Sequence, residues 1–183
     1  MKNRIKPLEK PLSASTQELM DKIFPSVLPS PNLYRLVAKN EALFGELVES
    51  KFIGKTGLYD RKRIAPDLRE KIVLRVCVIS KNDYEFSLHE DTISAQMGVT
   101  NEQLKDIKNL KYNSELWNEK EAAVFDVITP LLQSEKVEDH IVENLKLYFS
   151  ESEIIDIIFL VGLYHTVSMM VNIAQLEKDN YKQ

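Results

Sequence analysis

The chain has 183 residues, 44% of them hydrophobic and 28% charged, with a formal net charge of −4. That length can bury a sizeable core, and the composition is that of an ordinary globular protein. A mildly acidic balance without a basic patch argues against nucleic acid as a partner, and the single cysteine, Cys77, excludes a disulfide framework, a cysteine-based zinc site and an intrachain dithiol pair.

Five glycines assemble neither a P-loop nor a dinucleotide fingerprint. Alternating β patterns are scarce and helical spacing dominates, so the expected fold class is all-α, with about seven or eight helices. Residues 1–15 carry Pro7 and Pro11 and read as an extended arm. They lack the apolar run of a signal peptide, and a lone cysteine suits a reducing, cytoplasmic setting. The expected division is an arm with a short helix over 1–30 and a helical domain over 31–183.

Taken along the chain, a short helix is expected at Thr16–Phe24, broken by Pro25, Pro29 and Pro31. Ser30 offers an N-cap with Pro31 at the first helical position. The helix that follows presents Leu33, Leu36, Val37, Phe44, Leu47 and Val48 to a core and ends near Gly54. GKTGLYDRKR then reads as a charged loop. Helices are expected from about Pro66 to Ser80 and from about Asp83 to Met97, the latter closed by Gly98. Thr100 with Gln103 forms a capping box for a short helix to Lys108. Later helices span about Asn118–Gln133, with a kink expected at Pro130, and Val137–Phe149. Ser150 with Glu153 makes a second capping box, opening a final helix to about Lys178. The most apolar run, Ile154–Leu163, is interrupted by Asp156 and too short to span a bilayer, so it reads as a buried helix.

Two helices carry polar residues where apolar ones are expected. In LREKIVLRVCVIS, Lys71 and Arg75 share a narrow stripe suited to solvent, but Glu70 projects among Val73, Leu74 and Cys77. A carboxylate on an apolar face is costly unless paired or protonated. An ion pair or a favourable place in the first helical turn would account for it, and so would a functional role. In the helix after it, Tyr84, Leu88 and Ala95 form one apolar stripe and Phe86, Ile93 and Met97 another. Ser87, Glu90, Asp91 and Ser94 make a face for water. Glu85, His89, Thr92 and Gln96 lie between the apolar stripes, where they line either a cavity or a contact between subunits. Glu85 and His89 are four residues apart and within hydrogen-bonding reach, an arrangement suited to proton transfer. The final helix repeats the theme with His165, Ser168, Asn172 and Gln175 in one stripe. Glu-x-x-x-His can chelate a metal, but a site needs about three protein ligands and HExxH is absent, so no metal is expected.

Taken together, the segment LREKIVLRVCVISKNDYEFSLHEDTISAQMGVTNEQLKDI resembles the carboxymuconolactone decarboxylase and alkylhydroperoxidase D-like family. The likeness is strongest over 66–108, looser at VGLYHTVSMMVN, and slight over 1–60. It implies an all-α fold of the alkylhydroperoxidase D-like type, assembled into a dimer, trimer or hexamer. It also implies a Glu at Glu70 and a His at His89, with the two cysteines of the peroxidase branch falling at Asn82 and Glu85. Both cysteines are missing, so thiol-based peroxide reduction is not expected, and Cys77 is expected to be inert. The cysteine-less branch implies a cofactor-free lyase on a small carboxylated lactone or organic acid. Glu70, Glu85 and His89 would move the proton, with His89 as donor, Glu85 orienting it and Glu70 completing a relay. Asn82, Tyr84, Thr92, His165 and Asn172 would contact the substrate. The expected partners are a small molecule and further copies of the chain, with neither nucleic acid nor membrane. Two rival readings are a thiol-less antioxidant relative and a non-catalytic ligand-binding or structural oligomer.

Overall fold

The structure is a computed structural model, and it describes residues 3–24, 29–54, 57, 63–110, 112–133 and 135–179. The expected break at Pro25 and nearly all of the expected charged loop over 54–63 lie outside these residues. Among the described residues there are nine α-helices and no strand. They are α1 (Ala14–Ile23), α2 (Asn32–Val37), α3 (Glu41–Glu49), α4 (Pro66–Ile79), α5 (Asp83–Thr92), α6 (Asn101–Lys108), α7 (Glu119–Leu132), α8 (Asp139–Lys146) and α9 (Glu151–Ala174). The all-α expectation holds. The additional helix arises because the segment after Pro31 is two helices: Asn40 caps α3 by accepting from the Leu43 amide at 3.1 Å.

The chain divides into two compact units, Met1–Arg63 with Val171–Gln183, and Ile64–Met170. In the first, α3 lies against α1 and α2 over a core of Met20, Ile23, Ala38, Phe44 and Val48. Ser30 does not cap α2, as the sequence suggested; its hydroxyl is buried without a hydrogen bond. The N-terminal amide of α2, at Asn32, donates instead to the Asp179 carboxylate at 3.1 Å, a partner 147 residues away. Gln175 adopts φ +51°, which ends α9 at Ala174, short of Lys178.

In the second unit α4 packs against α5, α6 and α7, and α7 against α8. The capping boxes at Thr100–Gln103 and Ser150–Glu153 form as expected, and Asn118–Glu121 forms a third. Pro130 lies inside α7. Two expectations are corrected. Lys71 does not face solvent: it is 6% exposed, bonded to Glu121 of α7 and, at 3.2 Å, to Asp67. Arg75 lies over the Phe125 ring, 5.4 Å from its centre. Nor is the Ile154–Leu163 run simply buried, because Ile155, Ile158 and Phe159 are exposed. The whole of α9, 24 residues at a mean hydropathy of 1.9 in its most apolar stretch, is long and apolar enough to cross a membrane by length and composition.

Candidate functional site

Asn82 fixes where α5 begins. Its side-chain oxygen accepts from the Glu85 amide at 3.0 Å, and its amide nitrogen donates to Ser168 Oγ of α9 at 3.0 Å. Asn82 is fully buried with both ends of its amide engaged. Starting the helix there places His89 one turn before the end of α5, facing α4.

His89 and Glu70 meet in the interior, at 3% and 0% exposure. His89 Nδ1 lies 2.9 and 3.0 Å from the two Glu70 carboxylate oxygens. A carboxylate only accepts, so Nδ1 carries the proton and donates. Burial alone pushes the imidazole down from its ordinary 6.5, but the hydrogen bond and charge of Glu70, with the charge of Glu85, outweigh it and hold His89 above that value. The same holds in reverse for Glu70. Burial pushes its carboxyl up, yet the bonds from His89 and Ser94 bring it below 4.5. Each partner thus favours the charged form of the other.

The carboxylate that meets His89 is that of Glu70, where the helical spacing offered Glu85. Glu70 orients His89, whereas buried Glu85 acts on it through charge. The Nδ1 edge faces α4, where both oxygens of Glu70 are available, so the partner nineteen positions away displaces the one four positions away.

Helical spacing puts Ser94 on the solvent face, but it is fully buried, donating to Glu70 Oε1 at 2.6 Å. The expected helix to Met97 stops at Thr92, where the Ile93 and Ser94 amides both donate to the His89 carbonyl at 2.9 Å. That turn swings Ser94 out of helical phase and onto the carboxylate. The consecutive β-branched residues Thr92 and Ile93, which weaken a helix end, were the available signal.

Of the other expected residues, Tyr84 is buried on α5 and Thr92 is half-buried, its hydroxyl donating to the Leu88 carbonyl at 2.6 Å. His165 Nδ1 lies 3.0 Å from Ser80 Oγ, and Ser168 donates to the Tyr164 carbonyl at 2.7 Å. The polar stripe of α9 thus meets the polar junction between α4 and α5. Tyr164 sets its ring edge-on to His89, 5.8 Å between centres. Asn172 belongs to the other compact unit. Cys77 is fully buried, and burial with the charges of Glu85 and Glu70 drives its thiol well above the ordinary range. Among the described residues no three His, Cys, Asp or Glu side chains form a metal-ligand cluster.

No protein-family model matches the chain, and no curated protein matches it in sequence. Solved structures do. The debrominase Bmp8 without ligand is 15% identical, with a TM-score of 0.77 over 98% of this chain and 94% of that one. A cysteine-to-alanine variant of Bmp8 in complex with 2,3,4-tribromopyrrole matches at the same identity and TM-score, over 98% and 93%. An uncharacterized peroxidase-related protein from Silicibacter sp. TM1040 is 16% identical, with a TM-score of 0.75 over 96% and 93%. At such identities the likeness is one of architecture, and the architecture is the all-α alkylhydroperoxidase D-like fold.

Proposed function

We propose that the chain is a cofactor-free lyase of the carboxymuconolactone decarboxylase kind, acting on a small carboxylated lactone or organic acid. The observation that carries this reading is the Glu70–His89 pair, with Ser94 bracing the same carboxylate. Because Nδ1 is committed to Glu70, proton traffic falls to Nε2. An imidazole held above its ordinary value keeps more of its proton-donating form as pH rises. In the reaction, the bond from the substrate carbon to its carboxylate breaks and carbon dioxide leaves. The electron pair stays on carbon as an enolate, and His89 Nε2–H protonates it; water then restores the proton to His89. Glu70 stabilises the cation before transfer, and Glu85 adds to the negative field. For contact with the substrate we assign the half-buried Thr92 and His165.

A thiol route has less support. The debrominase was captured with its brominated pyrrole after a cysteine was replaced by alanine, whereas this chain's one cysteine is buried with a raised thiol pKa. A screen of carboxylated lactones with the wild type, His89→Ala and Cys77→Ser separates the two. Loss of about 10²–10⁴-fold in kcat on His89→Ala, with Cys77→Ser unchanged, is the expected result. Equal turnover by wild type and His89→Ala removes His89 from the mechanism, and loss of peroxide turnover on Cys77→Ser reinstates the thiol.

A further inference from the structure

The turn between α4 and α5 carries a second polar pair, and the proton transfer at His89 does not use it. Ser80 closes α4, its amide donating to the Val76 carbonyl at 2.9 Å. Lys81 follows at φ +54°, in the left-handed region that side chains seldom adopt. The Asn82 amide then donates back to the Cys77 carbonyl at 2.8 Å. Backbone of this kind is costly and gathers at functional sites. From this turn Ser80 meets α9, its Oγ 3.0 Å from His165 Nδ1.

Both side chains are half-buried, so a small molecule can reach them, whereas Cys77 and Ser94 are fully buried. A second bond holds α9 in register: the Asn82 amide nitrogen donates to Ser168 Oγ at 3.0 Å, one helical turn beyond His165. Two bonds from a single turn therefore fix the imidazole against the hydroxyl. Ser80 and His165 both belong to the unit Ile64–Met170, so the pair is complete within one compact body.

With its proton on Nε2, the His165 ring accepts at Nδ1 from the Ser80 hydroxyl. A hydroxyl held at this distance from a neutral imidazole is a serine placed for activation as a nucleophile. The buried serines nearby have other roles, Ser94 donating to a carboxylate and Ser168 to a carbonyl. One turn back from the pair on each helix stand Val76 and Val161, both buried. The pair thus borders an apolar interior, which suits a short neutral acyl group better than a charged one.

We propose that Ser80 and His165 form an acyl-transfer site for small neutral esters, with Ser80 as nucleophile and His165 as general base. Ser80 Oγ bonds to the ester carbonyl carbon while its proton passes to Nδ1. The bond from that carbon to the alcohol oxygen breaks, and the alcohol leaves with the proton. Water then attacks the acyl carbon, giving a proton to Nδ1, and Ser80 departs and takes that proton back. The balance is ester and water to carboxylic acid and alcohol.

The full chain is tested with an alkyl fluorophosphonate, which phosphonylates an activated serine as fluoride leaves, and with p-nitrophenyl acetate. Peptide mass spectrometry is expected to find the phosphonyl group on Ser80, and Ser80→Ala to lose both the label and ester turnover. His165→Asn can still accept the Ser80 hydrogen bond but cannot take the proton, so labelling is expected to slow by about 10²–10⁴-fold. Added imidazole is expected to speed labelling of Ser80 in His165→Ala. A folded wild type without label on Ser80 overturns the proposal. So does His165→Asn labelled at the wild-type rate, which leaves the pair only a tie between α4 and α9. If His165→Asn loses helical circular dichroism, the wild-type labelling rate across pH decides. A rise to a plateau as one base loses its proton supports the site, and a rate that follows hydroxide throughout overturns it. The readout is on Ser80 itself, so the result is independent of lactone turnover and of His89.

Discussion

His89 and Glu70 each sit where burial opposes their charge, and in each the presence of the other outweighs that opposition. The consequence for stability has two limbs. Glu70, held below 4.5, contributes stability that is present above 4.5 and is lost as pH falls through its depressed value. His89, held above 6.5, contributes stability that is full below 6.5 and is lost as pH rises through its raised value. The pair therefore contributes most between about 4.5 and 6.5. Glu70→Ala leaves the imidazolium buried and unpaired and is expected to cost about 3–5 kcal/mol at pH 6. Urea midpoints measured across pH check this: the variant loses most near pH 6, where the wild-type contribution peaks. A loss independent of pH would mean that the pair is not ionised. Glu70 and His89 were both visible in the sequence as polar residues on apolar faces. Their pairing was not, because it joins two helices, and local spacing offered Glu85 instead.

Helix α4 shows how a stripe can mislead. Lys71 and Arg75 are four apart and, in isolation, make a solvent face. The interior accommodates Lys71 because Glu121 waits on α7, fifty residues on, and Asp67 lies one turn back. Glu121 serves twice, since its other oxygen accepts from the Asn118 amide at 3.0 Å and caps α7. Lys71→Met is expected to destabilise by about 3–5 kcal/mol, because it strands a buried carboxylate. Adding Glu121→Gln keeps the capping acceptor but removes the charge, and should recover a substantial part of that loss. A double-mutant cycle by chemical denaturation measures the coupling, and strictly additive effects would show that the pair is not coupled. The helix starts at Thr100 and Ser150 were readable because a capping box is written in four consecutive residues. The start of α2 was not, because its amide is met by Asp179 from the far end of the chain.

At the scale of the molecule, α4 is the helix around which its unit is built. Ile72, Val73, Leu74, Val76 and Cys77 are wholly buried, and α5, α6 and α7 surround them. Amides of residues 72–77 are therefore expected to exchange with solvent only through global unfolding, while α8, with Leu145 its one buried residue, opens locally. Hydrogen exchange followed by NMR or mass spectrometry checks this, and comparable protection of α4 and α8 would contradict it. Helix α9 is at the other extreme. Its composition suggested a buried helix, but one face is covered and the other exposed, which composition alone does not distinguish.

By itself the sequence determined the all-α class, most helix boundaries to within a few residues, and two polar residues out of place on apolar faces, Glu70 and His89. These are local properties: periodicity, capping and a charge on an apolar face are all written within one or two helical turns. Only the tertiary structure decided which carboxylate holds His89, that Ser94 joins it, that Lys71 is buried, and which side of α9 remains exposed. Each of these depends on a partner brought from another helix, or on the lack of cover from one, and spacing along the chain does not encode that.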